Sequence, residues 1–162
     1  MKNTFAMTFG VGLAVIALAV AGILFMNRGA HMELPGKILK IRTVPIDDEH
    51  SVAVADFRIG NPSDYNLFVR TVWLVLEDPD GSQHLGLTSS EIDAQRFFAG
   101  TPILGQKYSP TLITQEKVPP HATEDRMVLA NFEFPESRLQ ARRRFLVRIE
   151  ELDGKVFEIS EK

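Results

Sequence analysis

The chain has 162 residues, of which 44% are hydrophobic and 24% charged, a composition typical of one globular domain and not of a disordered protein. The formal net charge of −3 disfavours a basic nucleic-acid-binding protein, so we expect no nucleic-acid partner. The absence of cysteine excludes a disulfide framework, a cysteine nucleophile and a thiolate metal site.

A long apolar segment follows a short N-terminal tail at residues 1–4. Residues 5–26 carry no charged side chain. A helix of this length covers about 33 Å, which matches a bilayer hydrocarbon core of about 30 Å. The sequence therefore predicts a transmembrane helix over residues 5–26 that inserts into the lipid bilayer. The alternatives are a buried core helix and a cleaved signal peptide ending at Ala19-Val20-Ala21, but the apolar run continues through Met26.

The positive charges around this segment give opposing indications of its orientation. Lys2 precedes it, whereas Arg28, Lys37, Lys40 and Arg42 follow it, and the positive-inside rule alone would leave the C-terminal part in the cytoplasm. Long domains are translocated largely regardless of charge, and a short tail carrying Lys2 is typical of an export signal. We therefore expect a single-pass membrane protein with a cytoplasmic N terminus and an extracytoplasmic domain, periplasmic if the organism is bacterial.

Small residues recur at four-residue spacing within the apolar segment, at Ala6, Gly10 and Ala14 and again at Ala17 and Ala21. Such a stripe allows close helix packing and is compatible with a homodimer through the transmembrane helix. The alternative is that alanine and glycine are simply common in membrane helices.

Residues 27–36 are interpreted as a juxtamembrane linker, and residues 37–162 as one β-domain. Alternating polarity and β-branched residues predict strands at 37–44, 51–59, 67–77, 83–87, 126–134, 145–151 and 155–160. In the first strand Leu39 and Ile41 share one face, and Lys40 and Arg42 share the other. In the second strand one face carries Ala53, Ala55, Phe57 and Ile59, and the other carries Asp56 and Arg58. Trp73 is expected in the core. Turns at Asp78–Gly81 and Leu152–Gly154 predict two hairpins. Seven or eight strands at this spacing favour a mainly β fold, an immunoglobulin-like antiparallel β-sandwich.

One segment interrupts the strand pattern. Residues 89–98 predict a short helix capped by Ser89, and a connection rich in proline and glycine follows as far as residue 120. Apolar side chains in this region predict either a contact surface for a partner or ligand or a plug over the end of the core. The candidate contact residues are Phe97, Phe98, Ile103 and Tyr108.

The segment VAVADFRIGNPSDYNLFVRTVWLVLED, with Asn61-Pro62 between two strands, is followed by Asp-Gly hairpin turns. With the preceding anchor, this layout resembles the water-stress and hypersensitive-response domain, also called the late-embryogenesis-abundant type 2 fold. It is similar as well to small bacterial membrane-anchored immunoglobulin-like domains of unassigned function. The resemblance covers about residues 37–160 and rests on Phe57, Asn61, Pro62 and the alternating strands. It implies a β-sandwich with a binding or protective role and assigns no site residue.

Side chains with catalytic or metal-binding chemistry are scattered. The four histidines, at positions 31, 50, 84 and 121, show no metal-ligand spacing, and no nucleophile elbow or phosphate-binding loop is present. The acidic groups at Asp47-Asp48-Glu49 and Asp78-Pro79-Asp80 are typical of turns, with a weak cation site as the alternative. We therefore expect no enzyme activity, no metal and no cofactor.

The strongest local charge is the run Arg142, Arg143 and Arg144. It is either a second contact surface for an anionic partner or a solvated turn balanced by nearby glutamates.

Taken together, the sequence favours a membrane-anchored, non-enzymatic module that binds an unidentified membrane or envelope protein. A small-ligand or lipid-binding domain under the 99–120 loop is the alternative.

Overall fold

The structure is a computed structural model that describes residues 2–27 and 34–161, and within the first helix the side chains of residues 9–18 and 20–22. The chain divides into two compact units, Met1–Met32 and Glu33–Lys162. Residues 1 and 28–33, and with them parts of the predicted tail and linker, lie outside the described residues. The side chains of Ala6 and of residues 23–26, which belong to the predicted span, also lie outside the described part of the structure.

The first unit contains helix α1, Lys2–Asn27, so the uncharged run of residues 5–26 is helical. The described side chains of α1 are exposed, among them Leu13, Ile16 and Leu18. Among the described residues, no helix combines the length and the apolar character that crossing a bilayer requires.

The second unit is mainly β. Its described residues form nine strands in two antiparallel sheets: β1 Gly36–Pro45, β2 Ser51–Gly60, β3 Leu67–Glu77, β4 Gln83–Leu85, β5 Leu87–Thr88, β6 Lys117–Val118, β7 Thr123–Phe132, β8 Arg144–Glu151 and β9 Val156–Ser160. The short helices are α2 Glu91–Gly100, a 3₁₀ turn Pro102–Leu104 and α3 Glu136–Gln140. The first sheet has the order β1-β2-β7-β5, and the second has the order β4-β3-β8-β9 with β6 also paired to β3.

Both predicted hairpins are confirmed, since β3 pairs with β4 and β8 pairs with β9. Gly81 and Gly154 adopt φ angles of 87° and 88° in their turns, a conformation that glycine accepts without a Cβ clash. The predicted strand over 83–87 is wrong at its end, because the chain changes sheets at Gly86. A Cβ there would lie 2.6 Å from the Phe132 ring and 2.8 Å from the Ala130 side chain, so the crossing needs glycine.

The two sheets share a hydrophobic core. The predicted inward face of β2 is confirmed, because Ala53, Ala55, Phe57 and Ile59 all belong to it. The prediction for β1 is wrong. A bulge between Ile38 and Lys40 shifts the alternation, so Ile38 and Ile41 pack against the core while Leu39 is 43% exposed.

The outer faces of the two sheets differ. On the first sheet, α2 and the segment after it cover a second apolar cluster that includes Val52, Val54 and Met127. This covered face was not predicted from the sequence. On the second sheet, Trp73 pairs with Arg148 and is only partly buried, so its assignment to the core is wrong.

Asn61 joins the turn after β2 to the segment before β7. Its side-chain amide donates to the backbone oxygens of Tyr65, Val118 and Pro119 at 2.7, 2.9 and 3.1 Å, and its Oδ1 accepts from Ser63. Asn61 is 3% exposed, so water does not compete for these bonds. The Asn-Pro element noted in the sequence therefore has a structural role.

We expect Asn61→Ala to lower the free energy of unfolding by about 1–3 kcal/mol, because it removes three hydrogen bonds of a buried amide, including the buried bond to the Val118 oxygen. Urea denaturation followed by circular dichroism measures the change. Asn66→Ala is the matched control, since Asn66 is exposed and makes no side-chain hydrogen bond within the described residues. Equal stability of the two variants would contradict the role given to Asn61.

Candidate functional site

Helix α2 lies against the outer face of the first sheet and begins at a serine cap. The cap is Ser90 and not Ser89 as predicted, since Ser90 Oγ accepts a hydrogen bond from the Asp93 amide at 3.2 Å. Ala94 and Phe98 of α2 enter the second apolar cluster. The helix is therefore fixed at its N-terminal end by the cap and along its inner face by burial.

A buried arginine holds the segment after α2, residues 101–111, which we call the strap. Arg42 Nη1 donates to the backbone oxygens of Leu104 and Gln106, both at 2.8 Å, and Nη2 donates to Asp56 Oδ2 at 2.7 Å. The guanidinium also lies 4.9 Å from the centre of the Phe98 ring. Because the Arg42 side chain is only 7% exposed, these contacts form away from water.

Glu91, in the first turn of α2, holds the far end of the strap. Its Oε1 accepts from Lys107 Nζ at 2.9 Å and its Oε2 accepts from the Thr111 amide at 2.7 Å. Burial acts to raise the pKa of Glu91, but the hydrogen bonds from Lys107, Thr111 and Gln95 outweigh it and lower this pKa to about 2. Glu91 is therefore ionised at neutral pH and fastens the strap to α2.

The structure brings the four predicted contact residues of this region to α2 and the strap, but in different environments. Phe98 is buried against Arg42, and Phe97 is partly buried at the edge of the same cluster. Ile103 is 84% exposed and Tyr108 is 64% exposed. The two phenylalanines therefore support the strap, whereas Ile103 and Tyr108 face solvent.

The arginine run lies before and at the start of β8, and each member has a carboxylate partner. Arg142 pairs with Glu161 through two bonds of 2.9 and 2.6 Å. Arg143 and Arg144 both pair with the buried Glu77, at 3.1 and 3.0 Å. The hydrogen bond from Arg144 is the largest cause that lowers the pKa of Glu77. The positive charge of the run is thus largely neutralised within the domain.

Ser82, His84 and Asp78 lie close together beside the β3–β4 turn. Ser82 Oγ and Asp78 Oδ2 both approach the same ring nitrogen, His84 Nε2, at 3.4 and 3.2 Å. A catalytic triad requires the serine and the acid on different ring nitrogens. Within the described residues, no group of three or more histidine, aspartate or glutamate side chains could hold a metal ion.

Arg42 and Asp56 are the central polar residues here that sequence reasoning missed. It placed Arg42 and Asp56 on the polar faces of β1 and β2, because alternation alone does not show that such a face is covered. The sequence does contain a signal of this ion pair. Two residues of opposite charge, Arg42 and Asp56, stand among apolar residues in successive strands. Such charges are rarely buried unless paired.

We expect Arg42→Met to lower the free energy of unfolding by about 3–5 kcal/mol, because Asp56 would remain as an uncompensated buried charge. The strap should also become open to limited proteolysis between residues 101 and 111. Arg58→Met is the control, because it removes an ion pair whose side chains are 46% and 43% exposed, and we expect a much smaller change. If both variants retain equal stability and an uncut strap, Arg42 does not anchor it.

The stability that Glu91 provides should depend on pH. Since its folded-state pKa of about 2 lies below the ordinary value of 4.5, its carboxylate stabilises the folded chain above pH 4.5. This contribution is lost as the pH falls towards 2. We expect the stability difference between wild type and Glu91→Gln, up to about 3 kcal/mol at pH 7, to shrink in urea denaturation below pH 4.5. A difference independent of pH would refute the assignment.

Comparison with known proteins adds no family. No protein-family model and no curated protein matches the chain. A similar solved structure is described as "X-ray structure of Northeast Structural Genomics Consortium target SoR45", with 13% sequence identity and a TM-score of 0.33 over 78% of this chain and 82% of that chain.

Proposed function

We propose that the chain is a membrane-anchored, non-enzymatic interaction module whose strap binds another membrane or envelope protein. The observation that carries this proposal is Ile103, an isoleucine 84% exposed in the 3₁₀ turn of a strap that Arg42 and Glu91 hold in place. An exposed aliphatic side chain on a pre-ordered segment binds at a low entropic cost. We expect Ile103 to enter an apolar recess on the partner.

The proposed domain is an immunoglobulin-like β-sandwich. Two antiparallel sheets with a shared hydrophobic core support this arrangement. The covered outer face of the first sheet distinguishes the domain from a simple sandwich and gives the strap a rigid base.

The proposed anchor is the segment 5–26. Its 22 residues contain no charge, a pattern typical of an uncleaved membrane span. We place the N terminus in the cytoplasm and the domain outside it, as the short tail with Lys2 favours. Anchoring would raise the effective concentration of the strap near a partner in the same membrane.

The strap should form a site-specific contact in native membranes. With a benzophenone amino acid at position 103 of the full chain, we expect one photo-crosslinked adduct of defined mass. The same group at position 152 is the control, because Leu152 is also an exposed aliphatic residue, at 67%, but lies in the β8–β9 turn.

A competition variant makes this test stricter. In chains without the benzophenone group, Ile103→Ser should reduce the amount of the crosslinked partner that co-purifies by at least about tenfold. This is the loss expected when a side chain that contributes about 1.4 kcal/mol of binding free energy is removed. Leu152→Ser should not reduce it. Identical adducts from both positions, or an unchanged yield with Ile103→Ser, would refute the strap as the contact surface.

A further inference from the structure

The chain enters the β-domain at one end of its strands. β1 begins there at Gly36, opposite the end of β2. The β2–β3 connection and the start of β7 lie at the same end, since Gly60 of β2 pairs with Thr123 of β7. The β8–β9 turn joins them, because the Leu152 amide donates to the backbone oxygen of Phe68 at 3.0 Å. We call this end of the domain the base, and it comprises residues 34–37, 60–68, 117–123 and 151–156.

The base exposes three large apolar side chains. Tyr65 is 80% exposed, Leu152 67% and Phe68 44%. Phe68 and Leu152 are neighbours through their backbone hydrogen bond, and Tyr65 is held at the same end because Asn61 Nδ2 donates to its backbone oxygen at 2.7 Å. Tyrosine is enriched where proteins meet the headgroup region of a bilayer, and phenylalanine and leucine bind there with their apolar faces.

The charges of the base suit a surface of lipid phosphates. Its exposed carboxylates, Asp64 and Asp153, each lie 2.9 Å from a basic side chain, a histidine and a lysine respectively. Lys37 and Lys117, in contrast, have no carboxylate within ion-pair distance among the described residues. Lys117 stands directly opposite Phe68 in the β3–β6 pair. A lysine beside an aromatic ring can reach a phosphate while the ring enters the less polar layer beneath it.

The connection to the proposed anchor is short. Residues 28–35 separate α1 from β1. A connection of eight residues spans at most about 29 Å even when fully extended, whereas an eleven-residue strand such as β3 covers about 36 Å. In a chain anchored through residues 5–26, the base therefore stays close to the anchor, whereas the opposite end of the domain is not restricted in this way. Such a tether raises the population of a surface contact that would be weak on its own.

We propose that the base rests on the bilayer surface, with Tyr65, Phe68 and Leu152 in the headgroup region and Lys117 directed to lipid phosphates. This inference rests on the proposed anchor and adds a second, peripheral membrane contact to it. The contact also sets the height of the strap. Gly36 and the strap-holding Arg42 are six positions apart in β1, so the partner should meet the strap about 20 Å from the lipid surface.

Site-specific fluorescence quenching tests the contact in the full chain. The chain contains no cysteine, so an introduced cysteine is the only labelling site. A nitrobenzoxadiazole fluorophore is attached at Asn66→Cys in the base, at Asp48→Cys in the β1–β2 turn at the opposite end, or at Ile16→Cys in the proposed anchor. The chain is held in phosphatidylcholine nanodiscs that contain a lipid with a nitroxide on its acyl chain. We expect strong quenching at positions 16 and 66 and little at position 48.

Removal of two apolar side chains makes this test specific. With the fluorophore at position 66, Tyr65→Ser combined with Leu152→Ser should lower the ratio of membrane-bound to free base at least about tenfold, equivalent to about 1.4 kcal/mol. Ile46→Ser combined with Leu85→Ser is the matched control, because it removes two side chains 53% and 60% exposed that lie outside the base. This control should leave the quenching unchanged. Circular dichroism checks that both double variants are folded.

The possible outcomes separate the base contact from the proposed anchor. Quenching at position 16 without quenching at position 66 would overturn the base contact and leave the anchor in place. No quenching at position 16 would refute the anchor and the base contact with it. Equal quenching at positions 48 and 66, or unchanged quenching in the Tyr65→Ser and Leu152→Ser double variant, would show that these side chains do not hold the domain on the bilayer.

Discussion

The buried ion pair between Arg42 and Asp56 is the interaction on which the outer layer of this domain depends. Removing two charges from water is unfavourable, so additional hydrogen bonds to the pair contribute to its stability. Arg42 makes two of them to carbonyl oxygens of the strap, while Arg42 Nε and Asp56 Oδ1 have no partner among the described residues. The strap in turn covers the ion pair and keeps it out of water. This mutual dependence explains why an irregular segment holds one fixed position.

The same pair determines which side chains of the strap face solvent. Arg42 contacts the Phe98 ring and holds the backbone oxygens of Leu104 and Gln106. Leu104 is therefore buried, whereas its neighbour Ile103 is 84% exposed. The strap thus has one side that packs against the sheet and one side that presents Ile103 to solvent.

Local pattern was sufficient to predict most of the sheet framework. The span of β3 was predicted residue for residue at 67–77, because β-branched residues and the following Asp-Gly turn define both of its ends. The inward face of β2 followed from strict alternation. The β1 bulge could not be predicted, since a one-residue shift at Leu39 depends on how β1 pairs with β2 and not on its own composition.

The candidate site was predictable only in part. The sequence indicated that the region around Ile103 and Tyr108 is unusual, because apolar residues recur in a segment rich in proline and glycine. It gave no sign that Arg42 reaches this segment, since that contact joins residues 62 positions apart. Long-range contacts of a buried polar group depend on the folded arrangement, and a pattern of period two carries no information about them.

Gly86 has a consequence for how the domain would respond to mechanical load. This single residue is the whole covalent connection between β4 in the second sheet and β5 in the first, and its amide is hydrogen-bonded to Leu74 of β3 at 2.9 Å. Tension that pulls the two sheets apart must therefore break a backbone hydrogen bond of β3 before the connection can extend. Load on this connection is therefore transferred directly to β3, which lies between β4 and β8 in the second sheet.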